Sequence, residues 1–169
     1  MKPIQVYLYE VRLQCEFANR AYLELQTAFR EMDNFSVFYA AHHFLIHAAN
    51  VDKLIRPSSK ARAIADLPQA LGRFAGGVPQ ARELRNDFEH IDERIAGWLQ
   101  AHEDQSSYDL TIHPEGTWGT DYSTVRAMSG NLLRFLDAIY DMAAIHKSLE
   151  ELRSEVAGQL KAFRDRPAA

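Results

Sequence analysis

The chain has 169 residues, 47% of them hydrophobic and 25% charged, with a formal net charge of −4. This is the composition of an ordinary globular domain long enough to bury its own core. The acidic balance argues against indiscriminate binding to nucleic acid or anionic membrane, and a single cysteine, Cys15, excludes an internal disulfide.

The N-terminal Met-Lys-Pro-Ile-Gln-Val-Tyr lacks the apolar run of a signal peptide, and no segment reaches the ~18 consecutive apolar residues of a membrane span. The expectation is a cytoplasmic protein with no membrane partner. Ile4, Leu8, Val11, Cys15, Ala18, Tyr22, Leu25 and Phe29 alternate steps of four and three, a heptad seam on one long first helix that holds Cys15 as a small core residue. Asp33 and Asn34 supply a turn or cap. A second stripe, Val37, Ala41, Phe44, Ala48, Val51 and Ile55, ends at Arg56-Pro57, because the residue before proline avoids the α region. Ser58 or Ser59 can cap a shorter helix over about 60–74, interrupted by Pro68. Gly76-Gly77-Val78-Pro79 breaks the chain again, and Pro79 suits the first turn of a helix running from about 80 to 101, with Trp98 and Leu99 on its apolar face. Residues 103–122 are polar and read as a loop or short strands. Leu132, Leu133, Phe135, Leu136, Ile139 and Tyr140 fit helical spacing, yet Ser129-Gly130-Asn131 is a turn signal; of helix and strand, the favoured reading pairs Leu132–Leu136 with about Ser123–Ala127 as a small β-hairpin. Asp141 then caps a last helix with the stripe Met142, Ile145, Leu149, Leu152, Val156, Leu160 and Phe163. The expected fold is a single mainly α domain over 1–169. It is an antiparallel four-helix bundle with a shorter extra helix and a small β-hairpin insertion before the last helix.

The most informative stretch is Leu84-Arg85-Asn86-Asp87-Phe88-Glu89-His90-Ile91-Asp92-Glu93-Arg94-Ile95. With Leu84 at zero and about 100° per residue, Phe88, Ile91 and Ile95 fall within about 40° of Leu84. Asn86 and His90 land at about 200° and 240°, one turn apart on the opposite face, and Arg85 sits on the flank at about 100°. A histidine able to exchange protons, beside a guanidinium and an amide, suits chemistry on a phosphate; a solvated helix face has the same spacing. Between Lys53 and Arg85 seven basic residues (Lys53, Arg56, Lys60, Arg62, Arg73, Arg82, Arg85) meet two acidic ones (Asp66, Glu83), an excess of five positive charges leading into this cluster.

Other signals are weaker. His43 and His47 are one turn apart, but no Glu follows His43 and no third ligand lies at a suitable spacing, so packing or a second interface is the better reading and no metal site is assigned. His42 lies on another face. Gly72–Gly77 lacks the phosphate-loop pattern and reads as a connector. No cofactor motif is present.

The motif Arg85-Asn86-Asp87-Phe88-Glu89-His90 resembles the Arg-polar-x3-His signature of the HEPN superfamily, and its flanks are similar to the Leu-Arg-Asn-x-x-Glu-His-x-Asp-Glu-Arg form of a group of bacterial HEPN-like proteins. His47-Ala48-Ala49-Asn50-Val51 and Ile139-Tyr140-Asp141-Met142 also resemble that group, and the layout extends over roughly residues 35–160. The resemblance implies a helical domain that forms a homodimer and joins two motifs across the interface. It implies RNA, or a nucleotide, as the ligand. In active members the RNA 2′-hydroxyl attacks the adjacent phosphate without a metal. On this chain His90 would be the general acid/base, Arg85 would bind the phosphate, and Asn86 would orient His90 or a phosphate oxygen. Toxin or phage-defence biology and an antitoxin partner are implied as well. One toxin subgroup carries Tyr two residues after the His; here that residue is Asp92, so neutralisation by tyrosine modification does not carry over. Non-catalytic members imply the alternative of a nucleotide-, RNA- or protein-binding module.

Overall fold

The computed structural model describes residues 2–64, 67–74, 76–103, 107–115, 117–118 and 123–165. Helix α1 spans Pro3–Glu31, with proline in the first turn, where its missing N–H costs no hydrogen bond. Met32 turns left-handed at φ 57° to end it, and the Asp33 N–H closes back on the Ala28 carbonyl at 3.0 Å. Asp33 then caps helix α2 (Asn34–Ile55) by accepting the Ser36 N–H at 3.1 Å. One aspartate thus serves both sides of the turn between the two longest neighbours.

The expected seam of α1 is buried at Ile4, Leu8, Val11, Cys15, Ala18 and Leu25, while Tyr22 and Phe29 are only partly covered and Ala21 and Ala28 are buried in their place. A straight helix repeats every 3.6 residues, so a 3.5-residue seam drifts round its surface over four turns. All six expected stripe residues of α2 are buried. Phe38, Ala40, Leu45 and Ala49 join them, which widens the stripe to a face. Helix α7 (Met142–Arg164) begins at Asp141, whose carboxylate accepts the Ala144 N–H at 2.9 Å, and buries Met142, Ile145, Leu149, Leu152 and Val156. Helix α1 packs against both α2 and α7.

Between α2 and α7 the chain is more broken than the apolar pattern predicts. The expected helix over 60–74 is α3 (Ser59–Arg62), α4 (Leu67–Leu71) and a 3-10 turn (Gly72–Phe74). The expected continuous helix over 80–101 is two helices, α5 (Ala81–Glu89) and α6 (Ile91–Ala101), so this segment does not supply a fourth long helix. Pro79 lies before the N-cap residue Gln80 rather than inside the first turn. Trp98 is buried as expected, but Leu99 is half exposed.

The polar segment and the turn signal resolve into strands. Strands β1 (Ser107–Tyr108) and β3 (Ser123–Thr124) form a short parallel pair. Strands β2 (Thr111–His113), β4 (Arg126–Ser129), β5 (Leu132–Phe135) and β6 (Ala138–Asp141) form a four-stranded sheet in the order β2-β4-β5-β6, parallel at β2–β4 and antiparallel thereafter. The hairpin is therefore present as β4–β5, with the partner of Leu132 two residues further along than expected, Ser129 in place of Ala127. Gly130 takes φ 56° at the tight turn, and a Cβ there would meet Glu115 Cγ at 2.9 Å. Asn131 ties the turn to α1: its side-chain oxygen accepts from Tyr22 Oη at 3.1 Å and Gln26 Nε2 at 3.0 Å. No helix among the described residues is long and apolar enough to cross a membrane.

Two half-buried histidines brace the helices. His146 stacks on Tyr22 at 4.0 Å and bonds Asn19 Oδ1 through Nε2 at 2.9 Å; His47 bonds Gln14 Oε1 through Nδ1 at 2.8 Å. Burial holds both imidazoles below their ordinary value, with Glu150 partly opposing the effect at His146. As pH falls below about 6.5 the unfolded chain takes up protons that the folded chain resists, so stability is level above that pH and declines beneath it. Urea unfolding at a series of pH values is expected to show this decline, and His146→Gln should shallow it; an unchanged slope would remove His146 as a cause.

Candidate functional site

Gln80 stands before α5 at φ 57° and grips the edge of β6: its Nε2 donates to the Ile139 carbonyl at 2.7 Å, and its Oε1 accepts the Asp141 N–H at 2.9 Å. Helix α5 leaves this anchor with Glu83, Asn86 and Glu89, three residues apart, on one face. That face, the C-terminal turn of α2 (Asp52, Lys53, Arg56), α3 with its N-cap (Ser58, Ala61, Arg62) and Tyr7 of α1 enclose an open groove of about 1000 Å³.

Asp52 organises the floor. It is 4% exposed, accepts the Val78 N–H at 3.1 Å, and binds Arg56 through Nε at 3.1 Å and through Nη2. Such a buried carboxylate is sustained only by this set of donors. Lys53 crosses to Glu89 at 3.1 Å, an exposed pair worth little in stability but one that joins α2 to α5. Arg62 donates from Nε to the Pro57 carbonyl at 2.9 Å and has no carboxylate partner among the described residues. Three cations thus meet three carboxylates (Asp52, Glu83, Glu89) along the groove. The positive excess of the sequence between Lys53 and Arg85 is not an unbroken basic trough here, because Asp52 and Glu89 engage two of the cations.

Asn86 lies on the groove that the α2 cations also line. Arg85 belongs to α5, but its side chain, like those of Leu84 and Phe88, is outside the described residues. His90 is the joint between the two helices, at φ −122° and ψ 36°. Its N–H still donates to the Asn86 carbonyl at 3.2 Å, and its own carbonyl accepts the Arg94 N–H at 3.0 Å, so it closes one helix and opens the next. The one-turn step from Asn86 to His90 therefore persists in the backbone while the helix axis changes. The His90 side chain is 53% exposed, with Nδ1 3.9 Å from Glu93 Oε2, and it does not line the groove. Within one chain, the structure places Asn86 with Lys53, Arg56 and Arg62 and leaves His90 at the surface of the bend.

Periodicity does not disclose what holds the bend. Asp87 is the clasp: Oδ2 accepts the buried Tyr140 hydroxyl at 2.6 Å and Oδ1 accepts Arg94 Nε at 3.0 Å. Burial and the adjacent carboxylate push the Tyr140 phenol well above its ordinary value, so it stays protonated and donates. The position of Asp87 inside the motif was visible in the sequence; its partner 53 residues away was not. The Asp52/Arg56 pair was accessible to inspection as an i, i+4 acid–base spacing before proline.

His43 and His47 do not converge. His47 contacts Gln14 and lies 5.2 Å from the Phe17 ring, whereas His43 packs 4.4 Å from Tyr39. No group of three or more metal-ligating side chains occurs among the described residues.

Two substitutions test this framework. Tyr140→Phe leaves Asp87 with one partner and should destabilise by about 1.5–3 kcal/mol in denaturant unfolding; a change near zero would show that Asp87 does not depend on the phenol. At Gly77, φ is 79° and an added Cβ would lie 2.5 Å from Asp52 Oδ1 and 2.9 Å from Arg56 Cζ. Gly77→Ala should therefore lower stability by at least about 1–2 kcal/mol, the backbone term alone, and wild-type unfolding would contradict the close approach.

Comparison with known protein families, with curated proteins and with solved structures finds no match, so the residues and their geometry carry the functional reading.

Proposed function

We propose that the chain is a HEPN-like, metal-independent endoribonuclease that acts as a homodimer, with Arg85, Asn86 and His90 of two copies in a composite site, in toxin or phage-defence biology. The observation that carries the reading is the exposed His90 imidazole, one backbone turn beyond an asparagine that shares a groove with cations on α2 and α3. An accessible imidazole can take the proton of an RNA 2′-hydroxyl as that oxygen attacks phosphorus. An imidazolium can return a proton to the departing 5′-oxygen, leaving a cyclic phosphate and a 5′-hydroxyl. Arg85 would hold the charged phosphate oxygens and Asn86 would orient the reacting groups. In this reading α1, α2, α7 and the α5–α6 pair correspond to the HEPN-like helical bundle, and a second copy covers the His90 bend.

The charge balance of the groove favours a second reading, a non-catalytic HEPN-like module that binds a nucleotide, RNA or a protein. Three cations offset by three carboxylates attract a polyanion only through local contacts. RNA incubated with the full chain and a chelator separates the two. For the ribonuclease, His90→Ala and Arg85→Ala should each reduce cleavage by roughly 10²–10⁴-fold. Equal cleavage by all three proteins overturns the assignment, and absent cleavage with RNA binding that weakens in Arg85→Ala establishes the binding module instead.

A further inference from the structure

A pocket on the opposite end of α2 is built differently from the groove. It has a volume of about 330 Å³, at the small end of the range for small-molecule sites. Its floor is apolar and buried: Phe38, Ala41 and Leu45 from α2 face Leu133 and Phe135 from β5. Its rim carries Phe35 and Tyr39, 70% and 56% exposed, with their rings near-parallel and centroids 6.4 Å apart. Large aromatic side chains left in water beside a preformed apolar floor offer a surface on which a flat ligand gains burial.

The polar groups at the mouth are of one kind. His42, His43 and Arg126 line it, and no carboxylate among the described residues does. Arg126 lies over the Phe135 ring at 5.8 Å and pairs on its other side with Asp109. Burial, then His43 and Arg126, hold the His42 imidazole below its ordinary value. The wall is also fixed. Leu110 adopts φ 54°, an uncommon conformation for a branched residue, and is held there by Asn34 Nδ2 donating to its carbonyl at 2.9 Å and by its own N–H on Asp109 Oδ1 at 2.8 Å.

We propose that this pocket binds a small molecule that joins a flat apolar body to a carboxylate head, with the body between α2 and β5 and the head toward His42 and Arg126. The head group shares the Arg126 guanidinium with Asp109, and the exposed rings of Phe35 and Tyr39 close over the body. The site is separate from the His90 bend and does not depend on the ribonuclease reading.

Calorimetric titration of the full chain with naphthalene carboxylate and with the uncharged naphthalene carboxamide tests it. The carboxylate should saturate one site per chain and bind at least about tenfold more tightly than the amide. Arg126→Gln should remove most of that preference, and Tyr39→Ala, an exposed position, should weaken both probes. Equal affinities for the two probes, absent saturation by the carboxylate, or a preference unchanged in Arg126→Gln would each overturn the proposal. The probe pair on the unaltered chain decides the matter even if Arg126→Gln fails to fold.

Discussion

The structure depends on the seam of α1. Eight buried positions along one helix, four of them alanine or cysteine, are gripped by α2 on one side and α7 on the other. Leu8, Val11, Cys15 and Leu25 are fully removed from water, and each such apolar side chain contributes about 1.5–3 kcal/mol on burial. Cys15 belongs wholly to this packing: burial, reinforced by Glu150, pushes its thiol up to about 12, which leaves no reactive thiolate near neutral pH. With α1 packed against these two neighbours, α5 packs on α2 and β5 on α7.

Two carboxylates, Asp52 buried and Asp87 partly buried, adapt those flanks to their chemistry. Asp52 draws Arg56 and the Val78 amide together and so sets the floor of the groove. Asp87 joins Arg94 and Tyr140 and so sets the bend at His90. A charge withdrawn from water is tolerated only when its hydrogen bonds are complete. Each carboxylate also brings together residues from separate elements. The same economy appears at Gln80, whose one amide serves both a donor and an acceptor on the edge strand β6.

Much of this was legible in the chain itself. The stripes on α1, α2 and α7, the caps at Asp33 and Asp141, the stop at Arg56-Pro57 and the turn at Gly130 follow from local periodicity, capping and backbone sterics. The misreadings share a cause. A helix over 80–101 and a buried Leu99 follow from treating apolar spacing as sufficient, although spacing cannot register a bend held by a partner on a distant strand. Likewise the excess of basic residues upstream of Arg85 is a sum along the chain, whereas the groove's potential depends on which carboxylates fold opposite which cations.

The sequence by itself determined the long helices, their buried faces and the residues that end them, because those depend on neighbours within about four positions. Only the tertiary structure decided that Asn86 shares a groove with Lys53, Arg56 and Arg62 while His90 stands at an exposed joint. It alone placed Tyr140 on Asp87 and joined the first turns of α2 to β5 around an apolar pocket. These are contacts between residues tens of positions apart, and they form only after the apolar faces have chosen their partners.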